Sequence, residues 1–264
     1  MRMERPMSVE ADLVASLEAG EEVVVATVVR VDGEPPSRVG AKVLLDSDGP
    51  RSGTLGCSDF DSGAQSDVRT TLGAGRPQMR TYTHELGTVE VLLEPYLPRP
   101  ALVVGSATPV AGTVLSWAHV LGYRTVLVET RTARLVSGDW RADQIIDDLN
   151  HLDDALRGDV YAVLTDHDSP DVVPLVRAIV AHAPRFIGMM GSRRHTALHL
   201  DELRHQGVPQ AAIDQIETPV GIDLGGREAA EIALSILASV VARRRGGNGG
   251  WIHRGDVAMS EHKR

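Results

Sequence analysis

Behind the apolar run Phe186–Met190, the chain reads Gly191, Ser192, Arg193, Arg194, His195. The run predicts a buried strand and the pattern after it a helix, so both arginines fall at a helix start. Cations there oppose the positive end of the helix dipole. An anion would relieve that opposition, because guanidinium forks and free backbone N–H groups would meet it together. A solvated helix start is the plainer alternative.

Three further stretches of the second half carry chemistry of the same kind. Val103–Gly112, "VVGSATPVAG", lies between a strand and a helix, where a dinucleotide fingerprint belongs. Gly105, Ser106 and Thr108 would present backbone N–H groups to a pyrophosphate, and Glu129, ending the next strand, would accept from a ribose. Ala107 stands at the second glycine position, so a Rossmann-type scaffold without tight nucleotide binding is the alternative. In "LTDHDSPD", His167 and Asp168 end another strand; they are candidates for proton transfer, for orienting a ligand, or for ligating a metal. Equally, Asp168 or Ser169 would cap the helix that follows. The loop "PVGIDLGG", with Pro219, Gly221, Asp223 and Gly225, is too rich in glycine for a strand interior and is suited to wrapping a ligand with its backbone.

The first half offers one chemically reactive group, the single cysteine, in "GTLGCSDFD". A thiol at a Gly-flanked turn before a helix could attack, transfer sulfur or hold a soft metal. Lone cysteines also serve as small buried hydrophobes, which is the competing reading of Cys57.

These residues need a framework, and the sequence outlines one. "SVEADLVASLEAG" predicts a short helix, "EVVVATVVR" and "AKVLLD" strands, residues 59–72 a helix, and "TVEVLLEPYL" another strand. The prolines of "PYLPRPA" mark a linker. Beyond it, the strands "ALVVGS", "RTVLVETR", "YAVLT" and "RFIGMMGS" alternate with helical patterns, of which "REAAEIALSILASVVARRR" is the longest. The fold class expected is α/β: a small amino-terminal α/β domain followed by a Rossmann-like, doubly wound parallel sheet. The domains expected are residues 1–98, residues 99–245, and a flexible Gly-rich tail over residues 246–264.

Composition narrows the function classes. A net charge of -9 argues against general nucleic-acid binding, since phosphate neutralisation needs a basic surface. One cysteine builds neither a disulfide framework nor a thiolate-rich zinc site, and no metal site is assigned. No apolar run reaches the roughly 18–20 residues that span a bilayer, and no signal-peptide core follows the start, so a cytoplasmic protein is expected.

Taken together, "PPSRVGAKVLL", "GTLGC", "LTDHD", "IGMMGSRR", "PVGIDLGG" and "EIALSILA" resemble the XdhC/CoxI family of xanthine dehydrogenase accessory proteins, in the same order over nearly the whole chain. The resemblance implies a chaperone that binds molybdenum cofactor, supports its sulfuration and delivers it to a molybdenum hydroxylase of the xanthine or carbon monoxide dehydrogenase type. Gly56 and Cys57 fall on the family's Gly-Gly-Cys turn, Gly191 to Arg194 on its Gly-Ser-Arg-Arg segment, and Pro219, Gly221, Asp223 and Gly225 on its last loop. Leu55 replaces the first glycine of that turn, the family's second cysteine has no counterpart in "THELGTVEV", and His195 stands where lysine is usual. The expected partners are a hydroxylase subunit, a small anionic cofactor and a second copy of the chain. The competing functions are an NAD(P)-dependent oxidoreductase and a cofactor-free interaction protein.

Overall fold

The structure, a computed structural model, describes residues 8–251, except for the side chains of Asp154 and Arg193. The chain divides into two compact units between Arg99 and Pro100. The tail expected from residue 246 lies outside the described residues beyond Trp251.

In the first unit α1 (Val9–Glu18) is opened by Ser8, whose Oγ accepts the Ala11 N–H at 3.2 Å. Then come β1 (Val23–Gly33), β2 (Lys42–Leu45), β3 (Pro50–Gly53), α2 (Ser58–Ala74), β4 (Gln78–His84) and β5 (Gly87–Tyr96). The strands form one antiparallel sheet in the order β3-β2-β1-β5-β4. Successive residues of β1 point to opposite faces. Val24, Ala26 and Val28 meet Phe60, Ala64 and Val68 of α2, while Val23 and Val25 join Leu44 against Val9 and Leu13 of α1. Coverage on both faces favours an apolar strand, which explains "VVVATV" over residues 23–28, where Thr27 is the one polar residue.

The second unit holds β6 (Ala101–Gly105), α3 (Pro109–Val120), β7 (Arg124–Val128), α4 (Thr132–Val136), β8 (Gln144–Ile146) and β9 (Val160–Leu164). It continues through α5 (Val172–Ala181), β10 (Phe186–Met189), α6 (Arg193–His205), α7 (Gln210–Ile213), β11 (Ile216–Glu217) and α8 (Ala229–Arg245). All six strands are parallel, in the order β11-β10-β9-β6-β7-β8. Numbered within the unit, this is the doubly wound order of dinucleotide-binding sheets. Leu102, Val104, Leu127 and Val163 pack toward α3 and α8; Val103, Val126, Ala162 and Ile187 pack toward α5 and α6. The chain leaves β6 and β9 in opposite directions, so a crevice opens outside their carboxyl ends. Parallel pairing brings the loops after β6, β7, β9, β10 and β11 to that one edge.

Candidate functional site

The loop after β6 carries the first part of the site. Ser106 is buried with φ +76°, a left-handed conformation uncommon for a residue with a side chain. The next residues start α3: Thr108 is its cap, its Oγ1 accepting the Ala111 N–H at 3.1 Å, and Pro109 takes the first turn. Thr165, first after β9, ties this turn to the neighbouring strand. Its hydroxyl lies 3.0 and 3.1 Å from the Gly105 and Ser106 carbonyl oxygens, to which it donates, and accepts from the Thr108 hydroxyl at 2.9 Å.

Glu129 is fully buried at the end of β7, and its carboxylate is turned to the protein rather than to a ribose. Oε2 accepts the Ala107 N–H at 2.9 Å and Arg131 Nη2 at 2.8 Å; Oε1 accepts Arg131 N at 3.0 Å and Nε at 2.6 Å. Arg131 and Arg134 then both reach Asp166 Oδ2, at 3.1 and 2.8 Å. Burial alone would push the Glu129 carboxyl up, but Arg131 and the two amides outweigh it and hold it below the usual range. Asp166 is likewise lowered: burial raises it, and the Asp168 N–H and the Arg131 and Arg134 guanidinium groups more than offset that. The Glu129 carboxylate, expected as a ribose acceptor, is occupied here by groups of the protein itself. A cation two residues further along satisfies the carboxylate, which in turn takes the Ala107 amide at the turn where a pyrophosphate would bind. Arg131, Arg134, Thr165 and Asp166 were not singled out from the sequence; the signal was there in the "ETR" following β7 and the "TD" following β9.

Beyond this network His167 and His195 stack, with ring centroids 5.0 Å apart and planes 3° from parallel. The His167 carbonyl accepts His199 Nε2 at 2.6 Å, which fastens the loop after β9 to α6. His167 Nε2 stands 3.7 Å from Asp168 Oδ1, and the Asp168 side chain is exposed, so the two are not a hydrogen-bonded pair. Nor does Asp168 or Ser169 sit at the cap of α5, which is Asp171; Ser169 Oγ accepts the Asp171 N–H at 3.3 Å and shapes the turn before it.

Gly191 lies against His167 with φ +128°; a Cβ there would stand 3.3 Å from the His167 Cβ and Cγ and 3.1 Å from Thr196 Cγ2. Only glycine takes this conformation without strain. Ser192 caps α6, its carbonyl accepting the Thr196 N–H at 3.1 Å. Arg194 is exposed and makes no ion pair among the described residues. The Arg193 side chain lies outside the described residues.

The last loop is fixed to its surroundings rather than open along its length. Val220 N donates to Met189 O at 3.1 Å, and Gly221, at φ +112°, leaves room for Ser235, whose hydroxyl donates to Ile222 O at 2.5 Å. Glu231 Oε2 accepts the Arg227 and Glu228 N–H groups at 2.8 and 3.1 Å, so the amides just before α8 already hold a carboxylate in a capping box. Pro219 follows a cis peptide bond, and Asp223, exposed, accepts the Gly225 N–H at 3.1 Å. Among the described residues no group of three His, Cys, Asp or Glu could hold a metal ion.

Cys57 belongs to the first unit. It is the N-cap residue of α2 and half-buried against the core, and its side chain makes no capping bond. The turn before it is held by Asp61, which accepts the Leu55 N–H at 2.7 Å and the Thr54 hydroxyl at 2.8 Å. Leu55, in place of a glycine, is fully buried in that core.

Comparison with known proteins adds to this geometry. Residues 102–240 match the family model described as the XdhC Rossmann domain, and residues 16–83 that of the XdhC and CoxI family. The molybdenum cofactor insertion chaperone PaoD of Escherichia coli (strain K12) is 35% identical over 86 residues, 33% of this chain and 27% of that protein. The uncharacterized protein YqeB of the same strain is 35% identical over 65 residues, 25% of this chain and 12% of its own. The chain therefore aligns with well under two thirds of either relative. A solved structure, titled as a xanthine dehydrogenase from Bacillus halodurans, is 18% identical with a TM-score of 0.44, covering 91% of this chain and 96% of that one. Among the described residues no helix is long and apolar enough to cross a membrane.

Proposed function

The chain belongs to the XdhC and CoxI family, and from that premise we propose that it binds molybdenum cofactor and passes it to a molybdenum hydroxylase of the xanthine or carbon monoxide dehydrogenase type. In this reading it acts in the cytoplasm as a homodimer and as an accessory factor, not as the oxidoreductase. The observation that carries it is Arg194, exposed at the start of α6 after β10 and without an ion pair among the described residues, next in the chain to His195, which stacks on His167. Guanidinium and first-turn amides suit the phosphate end of the cofactor. Gly105, Ser106, Thr108, Gly191, Ser192 and the Pro219–Gly225 loop line the same edge, His167 and Asp168 flank it, and Cys57 is the candidate for the sulfur side of the task. The fit concerns the anionic end of the cofactor.

The experiment is gel filtration of the purified chain with isolated molybdenum cofactor. Co-elution by the wild type and its loss on Arg194→Ala and on Arg193→Ala are expected; absence of co-elution by the wild type would overturn the reading. A nucleotide-binding oxidoreductase is favoured by the strand order alone, and the occupied Ala107 N–H opposes it. Calorimetry with NAD(P) separates the two. Co-purification with a hydroxylase in the absence of any small ligand would instead favour an interaction protein.

A further inference from the structure

Helices α3 and α8 pack on one another over the sheet, and their outer surface is apolar. A cavity of 640 Å³ there is lined by Trp117, Val120, Leu121, Leu234, Ala238 and Val241, among others. Val120 is 84% exposed and Leu234 51%. Patches of this kind on an otherwise charged surface mark contact sites.

The pattern along α8 says what would cover it. At 100° per residue, Glu231, Leu234, Ala238, Ala242 and Arg245 fall in one stripe. The stripe is palindromic about Ala238: Glu231 lies seven residues before it and Arg245 seven after, Leu234 four before and Ala242 four after. A second α8 laid antiparallel across a two-fold axis at Ala238 would set each Glu231 opposite the partner copy's Arg245, about 10 Å either side of the axis by helix rise. The small Ala238 allows close approach at the centre, and each leucine would meet a small residue. The charges are free to do this. Arg243 is paired with Glu217 and Arg244 lies over the Tyr123 ring at 4.8 Å, whereas Arg245 makes no ion pair among the described residues. Glu231 uses only Oε2 for its two backbone contacts. A surface that is its own complement under a two-fold operation describes an isologous interface.

We propose that this face is where two copies of the chain associate, α8 against α8, with Trp117, Val120 and Leu121 of α3 sealing the flanks. The proposal deepens the homodimer part of the functional reading and does not depend on which ligand is bound.

Sedimentation equilibrium of the full chain tests it. The wild type is expected to be a dimer. Arg245→Glu turns two attractive contacts into repulsive ones and should raise the dissociation constant about tenfold. Glu231→Arg should act in the same direction, and the double variant, with both signs exchanged, should recover the dimer. Circular dichroism of each variant controls for folding. A monomeric wild type, or a dimer indifferent to Arg245→Glu, overturns the proposal. Failure here with cofactor retained leaves the binding reading standing, and cofactor lost with the dimer intact does the reverse.

Discussion

The Glu129 carboxylate accepts the Ala107 N–H at 2.9 Å, so a buried side chain just past β7 holds the backbone immediately before the cap of α3. A carboxylate at that place substitutes internally for the anion that such a turn attracts. Its own charge is met by Arg131, which reaches on to Asp166.

Removing that carboxylate should destabilise the second unit. Glu129→Ala strands the Ala107 N–H and leaves Arg131 with Asp166 alone, and we expect a loss of about 3 kcal/mol in urea unfolding. The loss should depend on pH. Because the folded-state carboxyl is held below its usual value, its contribution is present above the unfolded value and disappears as pH falls through the folded one. Wild type and variant should therefore converge in acid, and a constant gap down to the lowest accessible pH would contradict the assignment.

Gly191→Ala should be disproportionately harmful for one methyl group. At φ +128° a side chain is strained, and its Cβ crowds His167. A cost of about 1–3 kcal/mol is expected, together with altered His167 and His195 ring signals in NMR. Unchanged stability and unchanged imidazole resonances would mean that the loop is looser than the packing indicates.

Arg194→Ala should leave the unfolding midpoint where it is, because the side chain is exposed and makes no ion pair among the described residues. Anion binding should weaken, and the difference from wild type should shrink as added salt screens the charge. Phosphate titration followed by NMR shifts of the α6 amides measures both.

Cys57→Ser separates sulfur chemistry from structure. The residue occupies an N-cap position with extended backbone and no capping bond. Serine there can accept from the first-turn amides, so stability should hold or rise by up to about 1 kcal/mol. Any loss of cofactor maturation in this variant would then belong to the thiol; lower stability would show instead that the sulfur fills the core.

Much of this arrangement was legible before the fold was known. The alternation of β6, α3, β7, β9 and β10 is written in short apolar runs broken by helical spacing, and α8 in a periodic stretch over residues 229–245. Elements whose identity depends on a neighbour were not. The edge strand β4, "QMRTYTH", alternates half-buried and exposed residues and gains its character only by pairing with β5. β3 reads as a turn because Pro50 and Gly53 bound it, and β8 and β11 are too short for any periodicity. The family resemblance and the mixed α/β architecture could be read directly, whereas the fate of Glu129 could not. Position and residue type suggested a ribose acceptor, and only the side chain of Arg131, folding back from the next turn, shows that its valences are filled.

The Thr165 hydroxyl, bridging the ends of β6 and β9, has a further consequence. It makes the floor of the crevice a preassembled surface, so an incoming molecule has little to reorganise at depth. On the proposed reading, discrimination between ligands would fall to the rim, to Arg194, His167 and His195. Exchanging one rim residue would then alter the ligand preference proposed here without refolding anything beneath it.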